Sequence, residues 1–202
     1  MRKIVTTTFV TLDGVMQAPG GSKEDTEGGF KYGGWQFNKD FEGDEVAEKT
    51  LETYMNTPFE LLLGKRTYDI FAAYWPNHPE IENVATPFNS TKKYVVTHKP
   101  FKTSWNNSHI VTGDVVKELK KLKQLKGPDL WVWGSSNLIQ TLLQHNLIDI
   151  MNILTYPITI GTGKKLFADG TLPQHFKVVD TKITSKGVVI ATYQSSSPLK
   201  AQ

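Results

Sequence analysis

The chain has 202 residues, 39% hydrophobic and 21% charged, enough for one globular domain with a substantial core. Its net charge of +3 is too small for a dedicated nucleic-acid binder, and the absence of cysteine excludes disulfides, thiolate metal sites and cysteine nucleophiles. No apolar run reaches the length of a membrane span, and the first residues read as a strand rather than a signal peptide, so a cytoplasmic protein is expected.

Residues 3–10 form a β-branched strand that ends in the turn Leu12-Asp13-Gly14. Residues 17–37 follow, with six glycines between Gly20 and Gly34 and with Pro19, Phe30, Tyr32 and Trp35. This stretch is too long and glycine-rich for a plain connection. It reads either as a functional lid, whose aromatics such as Trp35 cover a flat heterocycle, or as a disordered surface insertion. A helix is predicted over 40–55, burying Ala47, Leu51, Tyr54 and Met55. Asp44 extends that stripe by one turn. A carboxylate there is either a substrate anchor or an acid that complements the helix dipole.

A strand over 59–63 runs into Gly64-Lys65-Arg66-Thr67 and a helix that stops at Trp75-Pro76. Two cations at a helix start oppose the dipole but suit a phosphate; a solvated turn is the plain alternative. Residues 76–87 read as a loop. A strand over 93–98 carries Thr97, His98 and Lys99 at its carboxyl end, where ligands bind in open α/β sheets. A weaker strand over 105–111 precedes a lysine-rich amphipathic helix that Gly127-Pro128 terminates.

Residues 129–133 are an apolar strand leading into Gly134-Ser135-Ser136, two N-cap candidates, and a helix with Leu138, Ile139, Leu142, Leu143 and Leu147 on one face. Such a turn either cradles a phosphate on free backbone N–H groups or is an ordinary βαβ connection. Residues 149–160 form the next strand, 175–184 and 188–196 a closing antiparallel hairpin, and 197–202 a loose tail. The total is about eight strands and three or four helices: one α/β domain over 1–196, with a mostly parallel sheet and an antiparallel end. The five histidines are scattered without ligand spacing, so no metal is expected. No Walker loop, G-x-S-x-G elbow or G-x-G-x-x-G occurs.

In sum these segments resemble the dihydrofolate-reductase-like superfamily, within it the group related to the C-terminal reductase domain of the bifunctional riboflavin-biosynthesis deaminase-reductase. The matching segments are Leu12-Asp13-Gly14, Leu61-Leu-Leu-Gly-Lys-Arg-Thr-Tyr68, Lys93-Tyr-Val-Val-Thr97, Trp133-Gly-Ser-Ser136, Leu147-Ile-Asp149 and Pro157-Ile-Thr-Ile-Gly-Thr-Gly-Lys-Lys-Leu-Phe167, in the expected order. The resemblance implies a stand-alone member with an eight-stranded sheet and NADPH as hydride donor. It is similar to 5-amino-6-(5-phosphoribosylamino)uracil reductase, with a pterin- or ribosylaminopyrimidine-like substrate; the alternative is a non-catalytic nucleotide- or ligand-binding module. Gly64, Lys65, Arg66, Thr67, Thr97 and His98 would hold the adenosine phosphates. Gly134, Ser135 and Ser136 would cradle the pyrophosphate, and Asp13 and Gly14 would lie against the nicotinamide. Asp44 falls where dihydrofolate reductases carry their pocket acid. Two departures stand out: the insertion between Gly20 and Gly34, and the lack of basic residues dedicated to a ribose phosphate unless Lys164 and Lys165 serve. A homodimer formed through an edge near Val188-Val-Ile190 is also expected.

Overall fold

In the computed structural model, which describes residues 1–198, the threonine-rich run near the N-terminus becomes β1 (Ile4–Thr11), hydrogen-bonded on both sides. Then follow α1 (Glu45–Asn56), β2 (Phe59–Gly64), α2 (Lys65–Tyr74), α3 (Glu82–Ser90), β3 (Lys93–Val96), β4 (Ser108–Val111) and α4 (Val115–Gln124). The chain closes with β5 (Asp129–Trp133), α5 (Ser136–Gln144), β6 (Ile150–Tyr156), β7 (Gln174–Ile183) and β8 (Val189–Pro198). The sheet has eight strands in the order β4-β3-β2-β5-β1-β6-β8-β7. The first six in that order are parallel, and β8 and β7 close it as an antiparallel hairpin.

Strand alternation divides the core between the two faces. Leu62, Leu130 and Val132 pack under α4 and α5, against Leu119, Leu138, Ile139, Leu142 and Leu143. Leu61, Leu63, Trp131 and Trp133 point the other way, onto Met55 of α1, Tyr68 of α2 and Phe88 of α3. The four buried apolar side chains of α5 each contribute roughly 2 kcal/mol before entropy. Packing therefore fixes this short helix, and its N-terminus is held firmly at the end of β5.

Several boundaries differ from the sequence reading, each for a local reason. Residues 76–87 are not all loop: α3 forms despite Pro87 within it, because Ala85 and Phe88 are buried against the aromatic cluster. The helix expected over 40–55 begins at Glu45, since Gly43 at φ +67° breaks it from a separate turn over residues 39–41. Lys65, Arg66 and Thr67 lie within the first turn of α2. Pro157 follows the end of β6, and β8 continues through Ser197 and Pro198, so that part of the expected tail is strand. Residues 199–202 of that tail lie outside the described residues.

The segment expected to form a homodimer edge does not lie at an edge of the sheet. Val188 and Ile190 are 1% and 3% exposed, because β8 lies between β6 and β7. At that end of the sheet the free edge is β7, which exposes Val178, Val179 and Ile183.

Candidate functional site

The connection leaving β1 covers one face of the sheet through α1, and the connection leaving β5 covers the other through α5. Adjacent parallel strands with diverging connections leave a crevice at their carboxyl ends. A cleft of about 1860 Å3 occupies that place, lined from β1, β2, β3 and β5 and by parts of α1, α2, α3 and the glycine-rich loop.

At one end the turns before α2 and α5 meet. Gly64 permits it: a Cβ there would lie 3.1 Å from Ser135 Oγ. Ser135 sits at the N-cap position of α5 at φ +69°, yet its side chain makes no cap bond. Its Oγ accepts from the Gly64 N–H at 2.9 Å and donates to Thr67 Oγ1 at 2.6 Å. The expected capping serine is thus a tie that pins two helix N-termini side by side. Gly134 is at φ +73°, and a Cβ there would meet nothing within 4 Å, so its backbone is uncovered on the cleft. Ser136, Thr97, His98 and Lys99 line the same end. Two adjacent helix N-termini with an uncovered glycine between them favour an anion.

The two cations expected to bind phosphate already have partners. Lys65 Nζ contacts both oxygens of Asp69, at 2.7 and 2.5 Å, and lies 4.3 Å from the centre of the Phe101 ring. Arg66 pairs with Asp25 at 2.6 Å and Glu27 at 3.0 Å. Lys164 pairs with the same two carboxylates, at 2.7 and 2.5 Å. The Lys65–Asp69 and Arg66–Glu27 pairs are exposed on both sides, and pairs of that kind are worth at most about 1 kcal/mol, so a phosphate competes for them effectively, whereas Asp25 is largely buried. Hydrogen bonding from Lys164, with the charges of Lys164 and Arg66, holds the Glu27 carboxyl below its ordinary range. For Asp25, burial pushes the carboxyl up, but the same two cations outweigh it and the net shift is downward.

Those ion pairs strap the glycine-rich loop across the cleft, and the loop is folded rather than a disordered insertion. Phe30 and Trp35 are each 7% exposed. Phe30 covers Gly163, where a Cβ would lie 2.8 Å from its ring. Trp35 donates from Nε1 to the Gln17 carbonyl at 2.8 Å and meets Tyr156 edge-on at 5.5 Å. Trp35 does not line the cleft: it is the anchor of the loop, not its cover. Within the loop, the exposed aromatic that does line the cleft is Phe37, two residues on. No sequence signal separates the two, because both are aromatics in the same glycine-rich setting.

Asp13 and Gly14 do not line the cleft either. The Asp13 carboxylate accepts from the Gly161 N–H at 2.6 Å, the Ile160 N–H at 3.2 Å and the Thr11 hydroxyl at 2.5 Å. Burial pushes this carboxyl up, and these hydrogen bonds outweigh it, leaving it below its ordinary value. Gly14, at φ +80°, accepts from the Leu166 N–H. The pair clips β1 to the segment after β6, and Met16, Gln17 and Ala18 form the cleft wall instead.

Asp44 is 3% exposed and lies behind the cleft wall rather than in it. Its Oδ1 caps α1 by accepting from the Ala47 N–H at 3.2 Å, and its Oδ2 is buried without a partner. Leaving such an oxygen unpaired costs about 1–3 kcal/mol. Its neighbour Tyr156 is pushed up by burial, opposed by a hydrogen bond from Gln36 and reinforced by the Asp44 charge. Gln36 lines the cleft and so stands between this buried pair and the cavity.

Among the described residues no group of three or more His, Asp or Glu side chains could hold a metal, and no helix is long and apolar enough to cross a membrane.

The chain matches the RibD C-terminal domain over residues 2–190. It is similar to the uncharacterized protein YyaP of Bacillus subtilis (strain 168), 27% identical over 199 residues that cover 95% of this chain and 94% of that one. Among solved structures it resembles a Shewanella sp. PV-4 protein ascribed to riboflavin biosynthesis (TM-score 0.70, 19% identity, 96% and 99% covered). It also resembles dihydrofolate reductase from Enterococcus faecalis, solved with NADP(H) and RAB-propyl (TM-score 0.60, 12% identity, 96% of each chain covered). The fold is therefore dihydrofolate-reductase-like, and the chain belongs to the RibD C-terminal domain family.

Proposed function

We propose that the protein is an NADPH-dependent reductase of a small heterocyclic substrate, of pterin or ribosylaminopyrimidine type. The observation that carries this is the pair of helix N-termini, α2 and α5, tied together by Ser135 at the carboxyl end of the sheet with Gly134 uncovered between them. That cradle fits a pyrophosphate. Gly134, Ser135 and Ser136 would hold it through backbone N–H groups. Gly64, Lys65, Arg66 and Thr67 with Thr97 and His98 would face the adenosine phosphates. Met16, Gln17 and Ala18 take over the nicotinamide wall, because Asp13 and Gly14 are spent on the fold.

NADPH, when bound, supplies the hydride; the chain contributes orientation, a pocket shielded from water and one acid. Asp44 would be that acid, acting from behind the cleft wall: its Oδ2 is buried without a partner, and Gln36, which lines the cleft, bonds its neighbour Tyr156. The cysteine-free composition fits work in the reducing cytoplasm. A homodimer, if formed through a sheet edge, would use β7, whose Val178, Val179 and Ile183 are exposed.

A second reading, a non-catalytic nucleotide-binding module, is favoured by one fact: Asp44 lies off the cleft. Turnover decides between them. Nicotinamide absorbance is followed with dihydropterin and aminopyrimidine substrates, in the wild type and in Asp44→Asn. The reductase reading predicts consumption of NADPH that falls at least about a hundredfold in the variant while NADPH still binds. NADPH binding without consumption of any of these substrates would favour the module.

A further inference from the structure

The glycine-rich loop reaches the helix N-termini through two carboxylates, and they divide one guanidinium between them. Arg66 Nη2 meets Asp25 at 2.6 Å, and Arg66 Nη1 donates to Glu27 at 3.0 Å. The two halves are unlike. The Asp25 side chain is 13% exposed, and its backbone carbonyl accepts from the Gln17 side-chain amide at 3.2 Å. Gln17 is itself buried, and its Oε1 accepts from the Lys164 backbone N–H at 3.0 Å, so Asp25 stands in a fixed frame. The Glu27 side chain is 55% exposed, on the short turn Glu27–Gly29. Its backbone carbonyl is held by the same Gln17 amide at 3.0 Å, which leaves the side chain as the part free to move. Glu27 also has a second cation, since Lys164 Nζ reaches it at 2.5 Å. It can leave Arg66 and keep an ion pair.

Arg66 lines the cleft from the first turn of α2, beside the cradle that α2 forms with α5. A guanidinium grips a phosphate through N–H groups in a fixed fork. Asp25 keeps Nη2, so the position a phosphate can take is Nη1, the one Glu27 holds.

We propose that Glu27 sets the affinity of the cofactor end: its carboxylate competes with a dinucleotide phosphate for Arg66 Nη1 and is displaced onto Lys164 when the phosphate binds. This rests on the reading above for which end of the cleft holds the cofactor. Glu27 acts through Arg66 and is a positioning residue. The coupling is reciprocal: a bound phosphate releases the loop from α2 at Glu27, while Asp25 keeps it tied. The energy of an exposed ion pair limits the effect to about fivefold in affinity.

Calorimetric titration at low salt tests this with two probes, NADP+ and inorganic pyrophosphate, in the wild type, Glu27→Gln, Arg66→Gln and the double variant. Glu27→Gln should bind both probes about two- to fivefold tighter, and the gain should narrow in added salt. In the Arg66→Gln background, where backbone N–H groups still hold the anion, the same substitution should change nothing, because the contest is over Arg66. Unchanged or weaker binding by Glu27→Gln would overturn the proposal. So would an equal gain in the Arg66→Gln background, which would reduce Glu27 to a bare charge repelling phosphate. Pyrophosphate that shows the gain while NADP+ fails to bind would instead remove the cofactor reading and leave the competition for Arg66 standing. No binding of either probe would overturn both.

Discussion

Replacing Ser135 by alanine deletes one hydroxyl with two duties. It accepts from the Gly64 N–H at 2.9 Å and donates to Thr67 Oγ1 at 2.6 Å, in a part-buried place. Alanine leaves that N–H without an acceptor, a cost of about 1–3 kcal/mol. At about 2 kcal/mol, the midpoint of a chain this size falls by roughly 4–8 °C. Glycine at the same position loses the same hydroxyl but relaxes the left-handed backbone, φ +69° and ψ +66°. That relief, about 1–2 kcal/mol, exceeds the extra chain entropy of glycine, about 0.5–1 kcal/mol. Ser135→Gly should therefore be more stable than Ser135→Ala by about 0.5–1 kcal/mol. Urea unfolding with an unchanged slope is the assay. NADPH affinity should fall in both variants, because the two helix N-termini lose their mutual registration. An alanine variant as stable as the wild type would refute the tie, and a glycine variant no better than alanine would refute the backbone strain.

Lys93 is buried in the sheet, its Nζ donating to the carbonyls of Asn89 and Thr91 at 2.8 Å each, and burial pushes its ammonium down to about 8. Between about pH 8 and its ordinary value of 10.5 the unfolded chain holds more protons, so this group makes stability rise with pH across that window. The stability difference between the wild type and Lys93→Met should climb there; a flat difference would contradict the shift. Trp35→Ala should cost about 3–5 kcal/mol, spent mainly on opening the loop. Trypsin should then cleave at Lys23 and Lys31 faster than in the wild type, and unchanged cleavage would deny Trp35 its anchoring role. Sedimentation at micromolar concentration should give a dimer that Ile183→Lys, on the exposed β7 edge, converts to monomer; a monomeric wild type would remove the dimer.

The sequence was most legible where local pattern and tertiary packing agree. The Leu-Leu-Leu and Trp-Val-Trp runs could only be buried strands, and Leu138, Ile139, Leu142 and Leu143 could only face a sheet. The strand–glycine–helix turns at Gly64 and Gly134 located the cleft for the same reason, since their glycines answer to close approach and positive φ. What failed was direction. Residue type gave Trp35, Asp13 and Asp44 as polar or aromatic groups near turns, but whether each faces the cavity or the core depends on contacts from distant segments. Asp13 is turned away by the backbone of Ile160 and Gly161, and Trp35 is drawn in by Tyr156. Arg66 looked free because Asp25 and Glu27 lie about forty residues upstream, beyond any local pattern. The helix α3 was missed because its only strong sequence mark, Pro87, argues against it.

The central claim is a cofactor cradle that prefers NADPH, and thermal unfolding with NADPH, with NADH and with neither tests it directly. At one hundred times its dissociation constant NADPH should add about 2.7 kcal/mol. The midpoint should then rise by roughly 5–11 °C, with a smaller rise for NADH because Lys65, Arg66 and His98 gain nothing from its unphosphorylated ribose. An unchanged midpoint with both nucleotides would contradict the claim.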